Sequence, residues 1–351
     1  MQLLCKKEYT VYLLTTCGEG YIHKYVRQFG VTADASPIKG QSGIYNYLKQ
    51  AFYLYKYCKA NKIRTVLAQQ QSAALPALLC SVFLRLRIAY FRHNSDEDYQ
   101  SNPAKAWRLN KLLNKYLKIL IAPSAKVMRH WISHEKVNPD KITRINYGYN
   151  FDQYEHPDLN ESQRIKKEYS CDLLIVSIAR LVSAKRHLLM FQAVQSALLL
   201  GVDCKFLCIG TGPDAEELKK WIVANDLESR IFLLGYRSNI FDYLNAAGVY
   251  LHLSSTEASN SSVKEAGLAA CPVIVCKGVG DFDDYIENNV NSFLVNQNPS
   301  VTEVADLLAS VSKKGIEINE MGKKLKETIL TKFNISNVER DYESLLNKMN
   351  T

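Results

Sequence analysis

Val249-Tyr250-Leu251-His252-Leu253, then Ser254 to Ser261, then Ser262-Val263-Lys264-Glu265-Ala266-Gly267-Leu268-Ala269-Ala270 form an apolar run, a polar turn and a helix-forming segment in that order. The run is short and rich in β-branched and aromatic residues, which predicts a buried strand, and the segment after the turn favours a helix. A strand that feeds directly into a helix is one half of a βαβ unit, the building block of a parallel sheet covered on both faces. Glu257 and Glu265, spaced Glu-x7-Glu, bracket the turn. Free backbone N–H groups and the positive dipole end make a helix start attractive to phosphate, and ligands of open α/β sheets sit at the carboxyl ends of the strands.

The same alternation runs outward in both directions. Leu173 to Ile178, Cys204 to Ile209 and Ile231 to Leu234 predict further strands, interleaved with helices at about 186–200, 214–225 and 239–246. Upstream, Val11 to Leu14, Arg64 to Ala68, Ile88 to Phe91 and Ile119 to Ala122 alternate with helical stretches at about 41–60, 72–85, 104–117 and 124–134. The fold class is therefore α/β, with a doubly wound parallel sheet in each half. A polar stretch over 153–167 predicts a linker between domains at 1–152 and 168–335, and an apolar helical pattern at 336–351 predicts a closing helix that packs back on the first domain.

Composition sets outer bounds. At 351 residues and 47% hydrophobic content the chain can bury two cores. Nine cysteines form no Cys-x-x-Cys pair and lie mostly in apolar runs, which predicts reduced, buried thiols and no cysteine metal site. No secretory pattern opens the sequence, and the longest apolar stretch, Ala73 to Leu84, is shorter than a membrane span and predicts a buried helix. Charge is unevenly divided: residues 1–150 carry 23 Lys and Arg against 8 Asp and Glu, whereas 151–351 carry 21 against 27. Such a first half expects an anionic partner.

Four strand-end loops hold the candidate site. After Leu173 to Ile178 comes Ala179-Arg180-Leu181-Val182-Ser183-Ala184-Lys185, whose cations either converge on phosphate oxygens or form a solvated basic loop. Gly210-Thr211-Gly212-Pro213 permits a tight turn, but Ala215 occupies the third glycine position of a dinucleotide fingerprint, so a nicotinamide cofactor is not supported. Gly235-Tyr236-Arg237 and Gly278-Val279-Gly280-Asp281 end two more strands on the same edge. Their convergence is the argument for a ligand.

Taken together, Ala179-Arg180-Leu181 with Lys185, Gly210 to Pro213, Ile231 to Gly235, the two glutamates, Cys271 to Ile274 and Asn288 to Val295 resemble the donor-binding domain of retaining GT-B-fold glycosyltransferases of the "glycosyl transferases group 1" family (family 4). Ile145 to Asp152 and Ile121 to Ser124 extend the likeness to the first half. The resemblance implies two Rossmann-like domains facing across a cleft, a UDP- or GDP-sugar donor, retention of anomeric configuration and no required metal or other cofactor. It implies that Arg180 and Lys185 neutralise the diphosphate, Glu265 bonds the ribose and Glu257 faces the donor sugar. It also implies that Asn260, Ser261 and Ser262 complete a phosphate cradle beside Gly212, Gly235 and Tyr236, that Gly18 in the first glycine-rich loop adds to donor binding, and that His93 is a catalytic residue at the sugar end of the cleft. Ala179 and the polar Ala258-Ser259-Asn260-Ser261-Ser262 depart from the family pattern, which bears on donor selectivity, and the first loop, Cys17 to Tyr21, is short.

The implied acceptor is a glycan or lipid-linked molecule, as in cell-surface polysaccharide synthesis. Lys105, Arg108, Lys111, Lys115 and Lys118 fall on one helical arc beside Leu109, Leu112, Leu113, Tyr116 and Leu117, which suits either an anionic membrane surface or an ordinary surface helix on its own sheet. The expected location is the cytoplasm or the inner face of the cell membrane. A non-catalytic nucleotide-sugar-binding protein of the same fold is the alternative. A nucleic-acid-binding role is not expected, because it leaves the acidic second half without a purpose.

Overall fold

The computed structural model of the chain describes residues 4, 5, 7, 9–16, 18–38, 43–93, 103–154, 157–257 and 259–350. Cys17 in the short first loop and Ala258 between the two acids lie outside them. The chain divides into two compact units, one of Met1–Pro123, Val127–Ile145 and Glu339–Thr351, the other of Ser124–Lys126 and Asn146–Val338.

In the first unit β1 (Tyr12–Thr15), α1 (Tyr21–Arg27) and β2 (Thr32–Ala35) precede α2 (Ile44–Ala60), β3 (Thr65–Gln69), α3 (Gln70–Ser81) and β4 (Arg87–Phe91). Next come α4 (Pro103–Tyr116), β5 (Ile119–Ala122), α5 (Ala125–Ser133) and β6 (Ile142–Arg144). All strand pairs are parallel, but they form two sheets among the described residues, β1-β2 and β3-β4-β5-β6. The core of the larger sheet includes Tyr90, Leu113, Leu120 and Trp131, all fully buried. Within it Arg92 is 1% exposed and its guanidinium pairs with Glu135 at 2.5 Å, where Asn114 also donates at 2.6 Å. A buried ion pair of this kind persists only when its remaining polar atoms are also bonded.

The second unit is more regular. It comprises α6 (Leu159–Glu168), β7 (Leu173–Ile178), α7 (His187–Leu199), β8 (Cys204–Ile209), α8 (Ala215–Ala224), β9 (Ile231–Gly235) and α9 (Ile240–Ala246). There follow β10 (Val249–His252), α10 (Ser261–Leu268), β11 (Val273–Cys276), β12 (Phe293–Val295), α11 (Val301–Lys314) and α12 (Ile316–Lys332). Six parallel strands stand in the order β12-β11-β10-β7-β8-β9. β7 and β10 are therefore neighbours, and the chain leaves this pair in opposite directions across the sheet. Both faces are covered, so the strands are continuous apolar runs rather than alternating ones; β7, β10 and β11 are buried almost throughout.

Several expectations change. The predicted linker contains α6, capped by Asp158, whose side chain accepts from Asn160 and Glu161. Its one strongly apolar inward residue, Ile165, is fully buried, and α6 packs on α9; Arg164 bonds Glu161 and Glu168 on the outer face. A helix needing so little apolar surface looks like a polar connector in sequence. The stretch Ala73 to Leu84 is buried only in part: α3 ends at Ser81, and Val82 and Phe83 are exposed. Apart from the short excursion Ser124–Lys126, the chain passes from one unit to the other at Ile145/Asn146 and back at Val338/Glu339, so the last helix, α13 (Ile335–Asn350), contributes to both. Among the described residues no helix is long and apolar enough to cross a membrane.

The turn after β8 is dictated by close approach. A Cβ on Gly210, whose φ is +141°, would stand 2.0 Å from the carbonyl oxygen of Ala179, and one on Gly212 would stand 2.1 Å from that of Leu181. The two backbones are tied there by Leu181 N–H to Thr211 O at 2.9 Å and Asp214 N–H to Leu181 O at 3.1 Å. The glycines therefore seat the Arg180 loop. Gly212→Ala should cost about 1–3 kcal/mol of stability, read as a drop of several degrees in the thermal midpoint by calorimetry; an unchanged midpoint would mean the two loops are not held in contact.

Candidate functional site

Because β7 and β10 adjoin, the loops that leave their carboxyl ends must lie side by side, and this is where the chemistry collects. The β10 loop is anchored on the β7 loop by Ser255 N–H to Ala184 O at 2.9 Å, and the Ser254 hydroxyl reaches the same oxygen at 3.3 Å. The short turn Ser183–Lys185 then presents Lys185, and the extended segment before α10 presents Glu257.

One carboxylate oxygen is the hub. Glu257 Oε1 accepts from Lys185 Nζ at 2.5 Å, from His252 Nε2 at 2.7 Å and from Asn260 Nδ2 at 3.0 Å. Burial pushes this carboxyl upward, but the hydrogen bond and charge of His252 and the Lys185 ammonium outweigh it and hold it at about 2. Glu257 is thus a fixed anion at any ordinary pH. His252 is fully buried at the end of β10, and its Nδ1 has no hydrogen-bond partner among the described residues. His187, at the start of α7, is held down to about 4 by burial, with His252 and Lys185 adding to the effect.

Asn260 links this knot to the helix behind it. Its Oδ1 caps α10 by accepting from Val263 N–H at 3.0 Å and takes the Ser262 hydroxyl at 2.8 Å. Ser262 and Tyr250 lie 2.8 Å apart, and Tyr250 donates to Ile178 O at the end of β7. A cavity of about 380 Å³ opens on the far side of Ser261 and Ser262, lined also by Arg180, Gly210, Tyr236 and Glu265. Burial raises the Glu265 carboxyl above its ordinary value, with Lys264 pulling the other way. Tyr236 is 76% exposed at the cavity wall and offers an aromatic face.

The predicted residues therefore fall into two connected groups. Lys185, Glu257 and Asn260 share the ionic knot; Arg180, Glu265, Ser261, Ser262 and Tyr236 share the cavity; the Asn260–Ser262 hydrogen bond joins the groups. Gly212 supports the Arg180 loop from behind, and Gly235, with φ +69°, bonds Gly210 N–H through its carbonyl at 2.9 Å. Arg186, the third cation of the β7 loop, turns to Gln297 O at 2.8 Å and serves the scaffold. The loop after β11 does not line the cavity: its Asp281 binds the buried Lys264 at 2.8 Å, and Ser259 donates to the same carboxylate at 2.7 Å. Lys264 also sits 4.7 Å from the Phe333 ring centroid and 5.1 Å from that of Tyr285.

Gly18 and His93 belong to the first unit. Gly18 has φ +82° and its carbonyl accepts from the Thr15 hydroxyl at 3.2 Å. Beside it stands a residue that sequence reasoning passed over: His23 is buried, accepts Gly20 N–H on Nδ1 at 3.0 Å and meets Thr15 Oγ1 through Nε2 at 3.0 Å. His93 follows β4 and pairs with Gln69 Oε1 at 2.6 Å, and burial lowers its imidazole. His252 was the other omission. Its only sequence signal is a polar residue at the end of an apolar strand, five residues before Glu257.

With this geometry in place, similarity to known proteins becomes informative. Residues 159–328 match the family described as Glycosyl transferases group 1, and residues 1–153 match that described as Glycosyltransferase Family 4. Poly(ribitol-phosphate) alpha-N-acetylglucosaminyltransferase of Staphylococcus aureus is 24% identical over 181 residues, which is 52% of this chain and 36% of that protein. N-acetyl-alpha-D-glucosaminyl L-malate synthase of Bacillus anthracis is 25% identical over 216 residues, 61% of this chain and 55% of that one. The match thus spans about half or less of such relatives. Among solved structures, Anabaena Alr3699/HepE in complex with UDP superposes with a TM-score of 0.82 at 17% identity, covering 99% of this chain and 96% of that one. A glycosyltransferase from Rickettsia africae gives 0.84 at 17%, covering 99% and 92%. At such identities the likeness establishes the fold.

The ionisation of Glu257 has a measurable signature. Its folded value lies below the ordinary one, so its stabilisation is complete above the ordinary carboxylate range and is lost as pH falls from about 5 toward 2, on the order of 3 kcal/mol in all. Denaturant unfolding of the wild type and Glu257→Gln should therefore differ most at neutral pH and converge on acidification. A constant gap between pH 7 and pH 3.5 would refute the shift.

Proposed function

The chain belongs to the glycosyl transferases group 1 family and has its GT-B fold, and from that membership and the site's chemistry we propose that it transfers a hexose from a UDP-sugar to a glycan or lipid-linked acceptor with retention of anomeric configuration. The observation that carries this reading is the switch-point site itself: a cavity holding Arg180, Glu265 and an aromatic face, joined by Asn260 and Ser262 to an ionised Glu257 paired with Lys185.

Each residue has a part that follows from its environment. Arg180 lies on the cavity wall where a diphosphate can meet its guanidinium fork. Lys185 carries three N–H donors, so it can keep Glu257 and still turn one donor to a phosphate oxygen. Glu265, one helical turn inside α10, accepts hydrogen bonds from ribose hydroxyls, and Tyr236 offers a surface for the base. Glu257 faces the sugar as a permanent carboxylate, fixed by three donors, and stabilises positive charge developing at the anomeric carbon. The bond from that carbon to the diphosphate breaks as the bond to the acceptor oxygen forms, and the acceptor proton passes to the departing phosphate. The cations offset the charge left on the diphosphate. No metal or other cofactor has a part in this scheme.

Support for UDP over GDP comes from relatives. Alr3699/HepE was solved with UDP and with UDP-glucose, and the names of the S. aureus transferase and the B. anthracis synthase both contain an N-acetylglucosaminyl group. UDP-N-acetylglucosamine and UDP-glucose are the first donors to test.

Thermal-shift titration should show stabilisation by UDP and its sugars and none by GDP at equal concentration. Lys185→Ala and Glu265→Ala should each weaken UDP binding by about tenfold or more, and Glu257→Gln should spare UDP binding while lowering donor turnover by about a hundredfold. Full turnover in all three variants would remove the site assignment. UDP-sugar binding without hydrolysis or transfer to any acceptor would instead identify a binding protein.

A further inference from the structure

α2 presents a face that its own unit leaves uncovered. Ile44 is 69% exposed, Tyr45 and Leu48 are exposed beside it, and Phe52 is 60% exposed two turns on. At 100° per residue these positions fall within one arc of about a third of the helix circumference. Three lysines lie within or just beside the arc, and each lies against a ring: the ammonium of Lys49 is 4.2 Å from the centroid of Tyr45, Lys56 is 4.6 Å from Phe52 and Lys59 is 5.8 Å from Tyr55. The end of α3 extends the patch, since Phe83 is 78% exposed and meets the ring of Tyr55 edge-on at 6.2 Å. Val82 beside it is also exposed. Soluble surfaces rarely gather so many large apolar side chains in one place without a partner.

The charge around the patch selects the partner. Between Ala35 and Ser95 the sequence contains no Asp or Glu and nine Lys or Arg. We propose that this face of α2, with Val82 and Phe83, is a docking surface for an anionic lipid bilayer, in which the apolar and aromatic side chains enter the headgroup boundary while the lysines extend to lipid phosphates. Flexible surface lysines whose ammonium groups rest on exposed aromatic rings suit such a boundary, where the rings face the acyl side and the ammonium groups the phosphates. A second copy of the chain fits poorly, because a two-fold contact through this face would oppose lysine to lysine with no acid to answer them. A nucleic acid fits poorly as well: Ile44, Leu48 and Val82 have nothing to gain from a phosphate backbone. This differs from the basic arc on α4. Lys105, Arg108, Lys111 and Lys115 on the helix and Lys118 just after it are exposed, but Leu113 and Leu117 are buried in the unit's own core. The inference does not depend on the proposed transfer reaction.

Co-sedimentation of the full chain with vesicles tests it. The wild type should bind phosphatidylcholine vesicles containing about a third phosphatidylglycerol, bind pure phosphatidylcholine far less, and lose binding as salt rises. Leu48→Gln with Phe52→Gln, and separately Lys49→Gln with Lys56→Gln, should each lower the partition coefficient by about tenfold at an unchanged thermal midpoint. The idea is overturned if the wild type does not bind anionic vesicles, or if both α2 variants bind as well as wild type while Lys111→Glu with Lys115→Glu does not. It is equally overturned if sedimentation velocity shows a dimer that the Leu48 and Phe52 substitutions dissolve, or if vesicles fail to compete with RNA for the face.

Discussion

Everything at the candidate site depends on the reversal of strand order between β7 and β10. In a sheet ordered β12-β11-β10-β7-β8-β9, this is the one place where adjacent parallel strands send their following segments away from each other, and a crevice opens between the departing loops. The β7 loop brings Arg180 and Lys185, and the β10 loop brings Glu257 and Asn260. The ion pair Lys185–Glu257 spans 72 residues of sequence yet needs no long-range adjustment, because the register Val249 to Ile175 and Tyr250 to Val176 already places the two loops side by side. Anchoring to Ala184 O and capping by Asn260 then fix the loop that carries the anion.

That explains why some of the site was legible in sequence and some was not. Arg180, Lys185 and Glu257 stand in polar turns after apolar runs, with Glu265 in the helix that follows the last of them, and a parallel α/β pattern sends all such turns to one edge. The link between them was not legible. Asn260 and Ser262 could be recognised as residues near a helix start, but that their side chains tie Glu257 to the cavity wall is a matter of rotamers. His252 was hidden because one polar residue in a buried strand is ordinarily a satisfied core group. The glycines of the β8 turn, read in sequence as a tight turn, also admit the backbone of residues 179–181, a close approach that spacing alone does not reveal.

Fold elements were missed for equally physical reasons. β2 reads Thr-Ala-Asp-Ala, too small and polar for a strand by propensity, and is held by pairing with β1. α6 buries little apolar surface beyond Ile165, so its pattern resembled a connector. On α4 the helical period identified the basic arc correctly, but periodicity cannot say where an apolar arc ends: Leu113 and Leu117 enter the core, whereas Leu112 and Tyr116 remain exposed. For the same reason the exposed face of α2 was invisible in sequence, since Ile44, Leu48 and Phe52 have the spacing of core positions.

The two units hold their cations in different ways. Around the site of the second unit, which carries the acidic excess, the recessed cations have fixed partners: Lys185 pairs with Glu257 and Lys264 with Asp281, while Arg186 turns to the chain after β12. Burial makes an uncommitted charge costly, so a carboxylate must stand beside each recessed cation, and selectivity comes from which donors remain directed outward. In the first unit the cations of α2 lie at the surface, where water already solvates them and pairing would add little. Their value is collective, as a field that falls off over a Debye length and has no directional preference. A recessed site of paired charges can discriminate one anionic ligand from another; an unpaired surface field can only concentrate anionic surfaces.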